Sequence, residues 1–139
     1  MTIKALAMRT LDPEAHARMA AVMATRARER DERLKKQPAL RLEGEAALRR
    51  LLPVAQRDTG QSSVIARFLL NLYNGERFPF DLTDLRRLDF DLFEDCMAVL
   101  KMDFHPAKEV HLYFEKGGAI WEALAKEWGF KDYAGKAWR

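Results

Sequence analysis

Residues 61–74, QSSVIARFLLNLYN, constrain the fold more than any other part of the chain. Val64, Ile65, Phe68, Leu69, Leu70, Leu72 and Tyr73 leave only Arg67, Asn71 and Asn74 to face water. Those three are spaced i, i+4, i+7, one narrow stripe on a helix. A helix that is apolar on nearly every side must be covered by other elements, so this one is expected at the centre of the core.

The flanking segments read as the cover. Asp12-Pro13-Glu14 after Leu11 starts a helix, with Asp12 as cap and Pro13 at the first helical position. Ala15, Met19, Val22 and Met23 then keep a modest apolar stripe, which fades into RARERDERLKK and is expected to fray before Gln37-Pro38. A second helix over Glu43–Gln56 places Leu48, Leu51, Leu52 and Ala55 on one face, with a kink expected at Pro53. After the central helix, Asp81 caps a short helix with Asp84 at its third position, and Phe80 staples to Leu85. Phe90–Lys101 follows, carrying Leu92, Phe93, Cys96, Met97, Val99 and Leu100. Pro106 suits a first helical position. EVHLYFE fits either period and is read as helix, stopped by Gly117-Gly118. The last helix holds Ile120, Trp121, Leu124, Ala125 and Trp128, with Gly129 at its end and KDYAGKAWR as a loose tail around Trp138. The fold class expected is all-α, a compact bundle of about five or six helices with an N-terminal helical extension. Residues 1–40 are the basic extension and 41–139 the helical domain.

The stretch QRDTGQS, residues 56–62, poses the sharpest chemical question. A glycine among hydroxyls and charges suggests a phosphate cradle. A Walker loop, however, needs a lysine after its second glycine and a preceding strand, and neither is present. Turn chemistry accounts for the residues: Gly60 ends one helix in a left-handed conformation, and Asp58 or Thr59 caps the next, with Gln61 three residues after Asp58. Anion binding by the helix's N-terminal amides, aided by Arg57 or Arg67, stays open, so Arg57, Asp58, Thr59, Gly60, Gln61 and Ser62 form a candidate interaction or anion site.

Other chemistries lack their residues. Six carboxylates in 81–95 do not match a calcium loop, because Phe93 stands where a third oxygen donor is needed and no glycine follows. His16, His105 and His111 give neither HExxH nor Glu-x-x-His, and His111 is read as a partly buried structural histidine. Cys96 sits beside Glu94 and Asp95, which disfavour a thiolate, so it is read as a small buried hydrophobe. Ser62 and Ser63 are outside any GxSxG pattern. The expectation is a protein with no catalytic residues, no metal and no cofactor.

At 139 residues, 48% hydrophobic, with seven glycines and five prolines, the chain is long enough for one core and too apolar for disorder. No apolar run approaches the roughly 20 residues of a membrane span, and MTIKALAM is too short for a secretory signal. With one cysteine, a cytoplasmic location is the expectation. The net charge of +3 is uneven: residues 1–50 hold 12 Lys/Arg against 7 Asp/Glu, and residues 51–139 hold 12 against 14. That basic front half makes Arg26, Arg28, Arg30, Arg33, Lys35 and Lys36 candidate nucleic-acid contacts, with Glu29, Asp31 and Glu32 counting against them.

LLPVAQRDTGQSSVIARFLLNLYNG at 51–75 and FDLTDLRRLD at 80–89 resemble a family of small proteobacterial proteins of unknown function, met often on plasmids and integrative elements. LLPVAQ-x-DTGQS is the most specific piece, and the resemblance covers roughly residues 45–130. It implies a cytoplasmic helical domain and an accessory gene of a mobile element, and it assigns no catalytic residues. Taken together, the residues lead to a non-enzymatic accessory protein that binds a protein partner or a second copy, with nucleic-acid binding by the basic helix as the alternative.

Overall fold

The computed structural model describes residues 12–134. The expectations for MTIKALAM, for Leu11 and for Trp138 fall outside those residues. The chain divides into two compact units, Met1–Pro38 and Ala39–Arg139. Its α-helices are α1 (Pro13–Ala55), α2 (Gly60–Tyr73), α3 (Phe90–Asp103) and α4 (Gly117–Trp128), with short 3-10 helices at Leu82–Arg87 and Val110–Tyr113. No strand occurs among the described residues. The protein is all-α with a long N-terminal helix.

α1 begins as its sequence requires: Asp12 Oδ1 accepts from the Ala15 amide at 2.6 Å. It does not fray at Gln37-Pro38, and the separate helix expected from Glu43 is its continuation. Pro38 lacks the amide that would bond the Leu34 carbonyl, a defect costing about 3 kcal/mol in a helix interior. The residues that follow, Ala39-Leu40-Arg41-Leu42-Glu43, are strong helix formers with no glycine or asparagine to cap a stop, so the helix proceeds. Pro53 lies in the final turn, where Gln56 N shares the Leu52 and Pro53 carbonyls at 3.2 and 3.3 Å.

In the second unit the core forms around α2, whose Val64, Ile65, Ala66, Phe68, Leu69 and Leu70 are buried. Leu48, Leu51 and Ala55 of α1, Cys96 and Val99 of α3, and Trp121 and Leu124 of α4 close around it. Each large side chain so buried contributes about 1.5–3 kcal/mol. α1 and α3 meet at Gly44, where an added Cβ would collide with Met102 Cβ. The Arg50–Asp95 pair, 2.8 Å, bridges the same two helices. Leu100, expected on the apolar face of α3, is exposed. α4 is held by its indoles: Trp121 Nε1 donates to the Leu69 carbonyl at 3.1 Å and Trp128 Nε1 to the Ala55 carbonyl at 2.8 Å. Ala55 is among the last carbonyls of α1, which lack a helical partner, so Trp128 closes that end of the helix.

Three local expectations are corrected. Gly60 is the first residue of α2 and does not have positive φ; the helix before it has already ended at Ala55. Gly117 and Gly118 open α4 instead of stopping the preceding segment, and Gly117 is required there because a side chain would collide with the His111 carbonyl. Pro106 lies in the loop before the 3-10 helix and starts no helix. EVHLYFE contributes only the four-residue Val110–Tyr113 turn, helical as read but short, with Val110 buried. Gly129 does end α4, at φ 65°.

Candidate functional site

The first unit presents a helix face of mixed character. Met19, Val22 and Met23 are 54%, 49% and 65% exposed. Arg26, Arg30 and Arg33 continue the same side at i, i+4, i+7 spacing, while Arg28 and Lys35 project from the opposite side. Shallow open depressions run along this face: one is lined by Met19, Val22, Met23 and Arg26 among others, the next by Met23, Arg26, Arg30 and Arg33 together with Glu29. Within residues 12–38 the ion pair present is Arg18–Glu14, a loose 3.9 Å. Arg28 donates to Thr25 Oγ1 at 3.3 Å. Arg26, Arg30 and Arg33 thus stack three like charges one turn apart, with Glu29 on the same side but in no ion pair with them, and like charges so placed cost a few tenths of a kcal/mol per pair in an isolated helix. Of the six basic residues singled out in the sequence, the structure therefore gathers three beside the apolar patch, leaves Arg28 and Lys35 on another side, and keeps Lys36 out of both depressions. The 3.6-residue period already contained that division.

The QRDTGQS segment is spent mostly on local structure. Thr59 is the N-cap of α2: its Oγ1 accepts from Ser62 N at 3.0 Å and lies 2.7 Å from the Ser62 hydroxyl. Ser62 is buried. Gln61 reaches to the start of α3, donating from Nε2 to Asp89 Oδ2 at 3.0 Å and accepting the Asp89 amide at 2.6 Å. It is a brace between two helix starts, not the partner of Asp58 in a capping box. Arg57 and Asp58 line a groove of about 230 Å³ with Gln56, Glu127 and Trp128. Neither His105 nor His111 lines it, nor do Thr59, Gly60, Gln61 or Ser62.

Elsewhere, reactive side chains are engaged or shielded. Burial, reinforced by the neighbouring Asp95 charge, pushes the Cys96 thiol up to about 12. His111 packs edge-on against Tyr73 at 4.9 Å, and its buried Nδ1 has no hydrogen-bond partner. His105 is exposed beside Phe104. The most connected polar cluster left no mark in the local sequence pattern. Arg77 grips Glu122 at 2.7 Å and Asp132 at 2.8 Å, while the Tyr73 hydroxyl donates to Glu122 at 2.6 Å. Its bonded pairs are separated by 45 to 55 residues, so no local spacing could reveal it. The Arg77 guanidinium and Tyr73 hydroxyl hold the Glu122 carboxyl down at about 2. The cluster ties the 74–80 loop to α4 and to the segment after it, with the Tyr133 amide bonded to the Arg77 carbonyl at 3.0 Å. Among the described residues no group of three or more His, Cys, Asp or Glu side chains is placed to hold a metal ion, and no helix is long and apolar enough to cross a membrane.

No curated protein and no solved structure matches the chain at a significant level. A family model, described as a family of unknown function, DUF7673, does match residues 45–129, which include the end of α1, all of α2, α3 and α4, the QRDTGQS segment and both 3-10 helices, and the chain belongs to that family.

Proposed function

We propose that this chain is a non-enzymatic, protein-binding accessory protein that engages its partner through the Met19–Arg33 face of α1, modulating host machinery from a mobile element. The observation that carries the reading is the exposure of Met19, Val22 and Met23 beside three arginines that have no carboxylate partner. Flexible methionines suit a surface that adapts to a partner's apolar side chains, and arginine is enriched where partners make energetically dominant contacts. A non-enzymatic role is supported by the state of the two nucleophiles considered: Cys96 is buried with its thiol held protonated, and Ser62 is buried against Thr59.

The test is affinity capture with the full chain and with a Met19→Ser, Val22→Ser, Met23→Ser variant, offered both a bacterial lysate and a differently tagged copy of the chain. A stoichiometric partner retained by the parent and lost by the variant is expected. Equal capture by both, or none by either, overturns the reading. The alternative, contact with nucleic acid through Arg26, Arg28, Arg30, Arg33, Lys35 and Lys36, predicts a duplex gel shift that weakens steeply with salt. The exposed Glu29, Asp31 and Glu32 interleaved with those cations weigh against it.

A further inference from the structure

The chain carries a second patch whose chemistry is the complement of the α1 face. Residues 81–95 hold six carboxylates and two arginines. Three of the carboxylates are occupied: Asp81 accepts from Thr83, Asp89 from Gln61, and Asp95 pairs with Arg50. Asp84, Asp91 and Glu94 have no hydrogen-bond or ion-pair partner among the described residues, and Leu82 and Phe90 near them are 73% and 70% exposed. Phe90 and Glu94 share one side of α3 at i, i+4 spacing, with Asp91 and Glu94 one turn apart. The first unit, by contrast, holds nine Lys/Arg against five Asp/Glu.

Resting on the reading of the α1 face as protein-binding, we infer that its partner is a second copy of this chain, with Met19, Val22 and Met23 against Leu82 and Phe90 and with Arg26, Arg30 and Arg33 against Asp91 and Glu94. Both charge ladders step at about one helical turn, so Asp91 and Glu94 can face two of the three arginines, and each patch relieves like-charge repulsion on the other. Used reciprocally, the contact would satisfy both patches of both copies, as a two-fold dimer requires. A nucleic acid would answer the arginines but not the methionines.

Sedimentation equilibrium of the full chain tests this, from low to high micromolar concentration and across salt. A monomer–dimer equilibrium is expected, weakening as salt rises. Arg26→Glu/Arg30→Glu/Arg33→Glu and, separately, Asp91→Lys/Glu94→Lys should each weaken self-association by about tenfold or more. Mixing the two variants should restore it, because the reversed arm of one then faces the reversed patch of the other. Circular dichroism confirms that both remain folded. A chain that stays monomeric throughout, reversals that leave the dimer unchanged, or a mixture that fails to restore it each overturn the inference. If the chain is monomeric yet still captures a protein in a manner lost with the Met19, Val22 and Met23 substitutions, only the identity of the occupant is wrong. If that capture is absent as well, the protein-binding reading falls too. A duplex gel shift lost in the triple arginine variant, with no dimer, assigns the face to nucleic acid and overturns the inference.

Discussion

At the scale of residues, two glycines exchange the roles their surroundings in the sequence suggest. Gly60 sits in a turn-rich string, yet a Cβ there meets nothing within 4 Å and the position is helical. Gly60→Ala is therefore expected to leave stability unchanged or raise it by about 0.4–1 kcal/mol, chiefly by restricting the unfolded chain. Gly117 looks like an ordinary helix stop, but a Cβ would enter the His111 carbonyl. Gly117→Ala should cost at least about 2 kcal/mol, or prevent folding, as a steric clash against backbone does. Thermal melts of the two variants side by side check both. Cys96, read from its neighbours as a buried hydrophobe, is buried with its thiol pushed up to about 12, so a thiol reagent at neutral pH should react only at the rate of unfolding. What was legible at this scale was composition and short-range capping, such as Asp12 and Asp81. What was not legible was clearance, because whether a Cβ fits is decided by an atom brought in from a different turn.

Among elements, α1 teaches the most. Periodicity placed Leu48, Leu51, Leu52 and Ala55 correctly in the core, but the break expected at Gln37-Pro38 did not occur, because proline is a cost that neighbouring helix formers can outweigh. Pro38→Ala restores the amide to the Leu34 carbonyl. It should strengthen that stretch by up to about 3 kcal/mol, seen as slower hydrogen exchange over residues 34–42. If the helix instead stopped before Pro38, exchange there would be fast in both proteins. The Arg77 cluster makes a different prediction, since it joins elements far apart in the chain. The Glu122 carboxyl lies at about 2 in the folded protein against an ordinary 4.5. Its contribution is thus present above about pH 4.5 and is lost as pH falls towards 2. With Glu122 46% exposed, solvent and salt screen that contribution, so the effect is modest. Stability measured from pH 5 to pH 2 should decline less in Glu122→Gln than in the parent; identical slopes would show that the pair has no bearing on folding.

For the molecule as a whole, the all-α class and the central place of α2 followed from one nearly unbroken apolar stretch, since a helix with only Arg67, Asn71 and Asn74 to show to water has to be enclosed. The candidate site was legible by composition and not by arrangement. The arginines of α1 were visible as a run, and their separation into a face with Met19, Val22 and Met23 was implicit in the helical period. The complementary 81–95 patch emerged only once Gln61, Thr83 and Arg50 were seen to occupy three of its six carboxylates. The two indole anchors of α4 have a practical consequence. Trp121 is fully enclosed and bonded to a carbonyl of α2, and Trp128 is partly buried and bonded to the last carbonyl of α1. The chain thereby carries its own optical gauges for two separate seams, and Trp121→Phe and Trp128→Phe, each made in a Trp138→Phe background, would isolate each. Emission from Trp121 should be blue-shifted and insensitive to added quencher, with Trp128 intermediate. If α4 detaches from the end of α1 before the centre of the core opens, the Trp128 signal will move first during a denaturant titration, and the two transitions will not coincide.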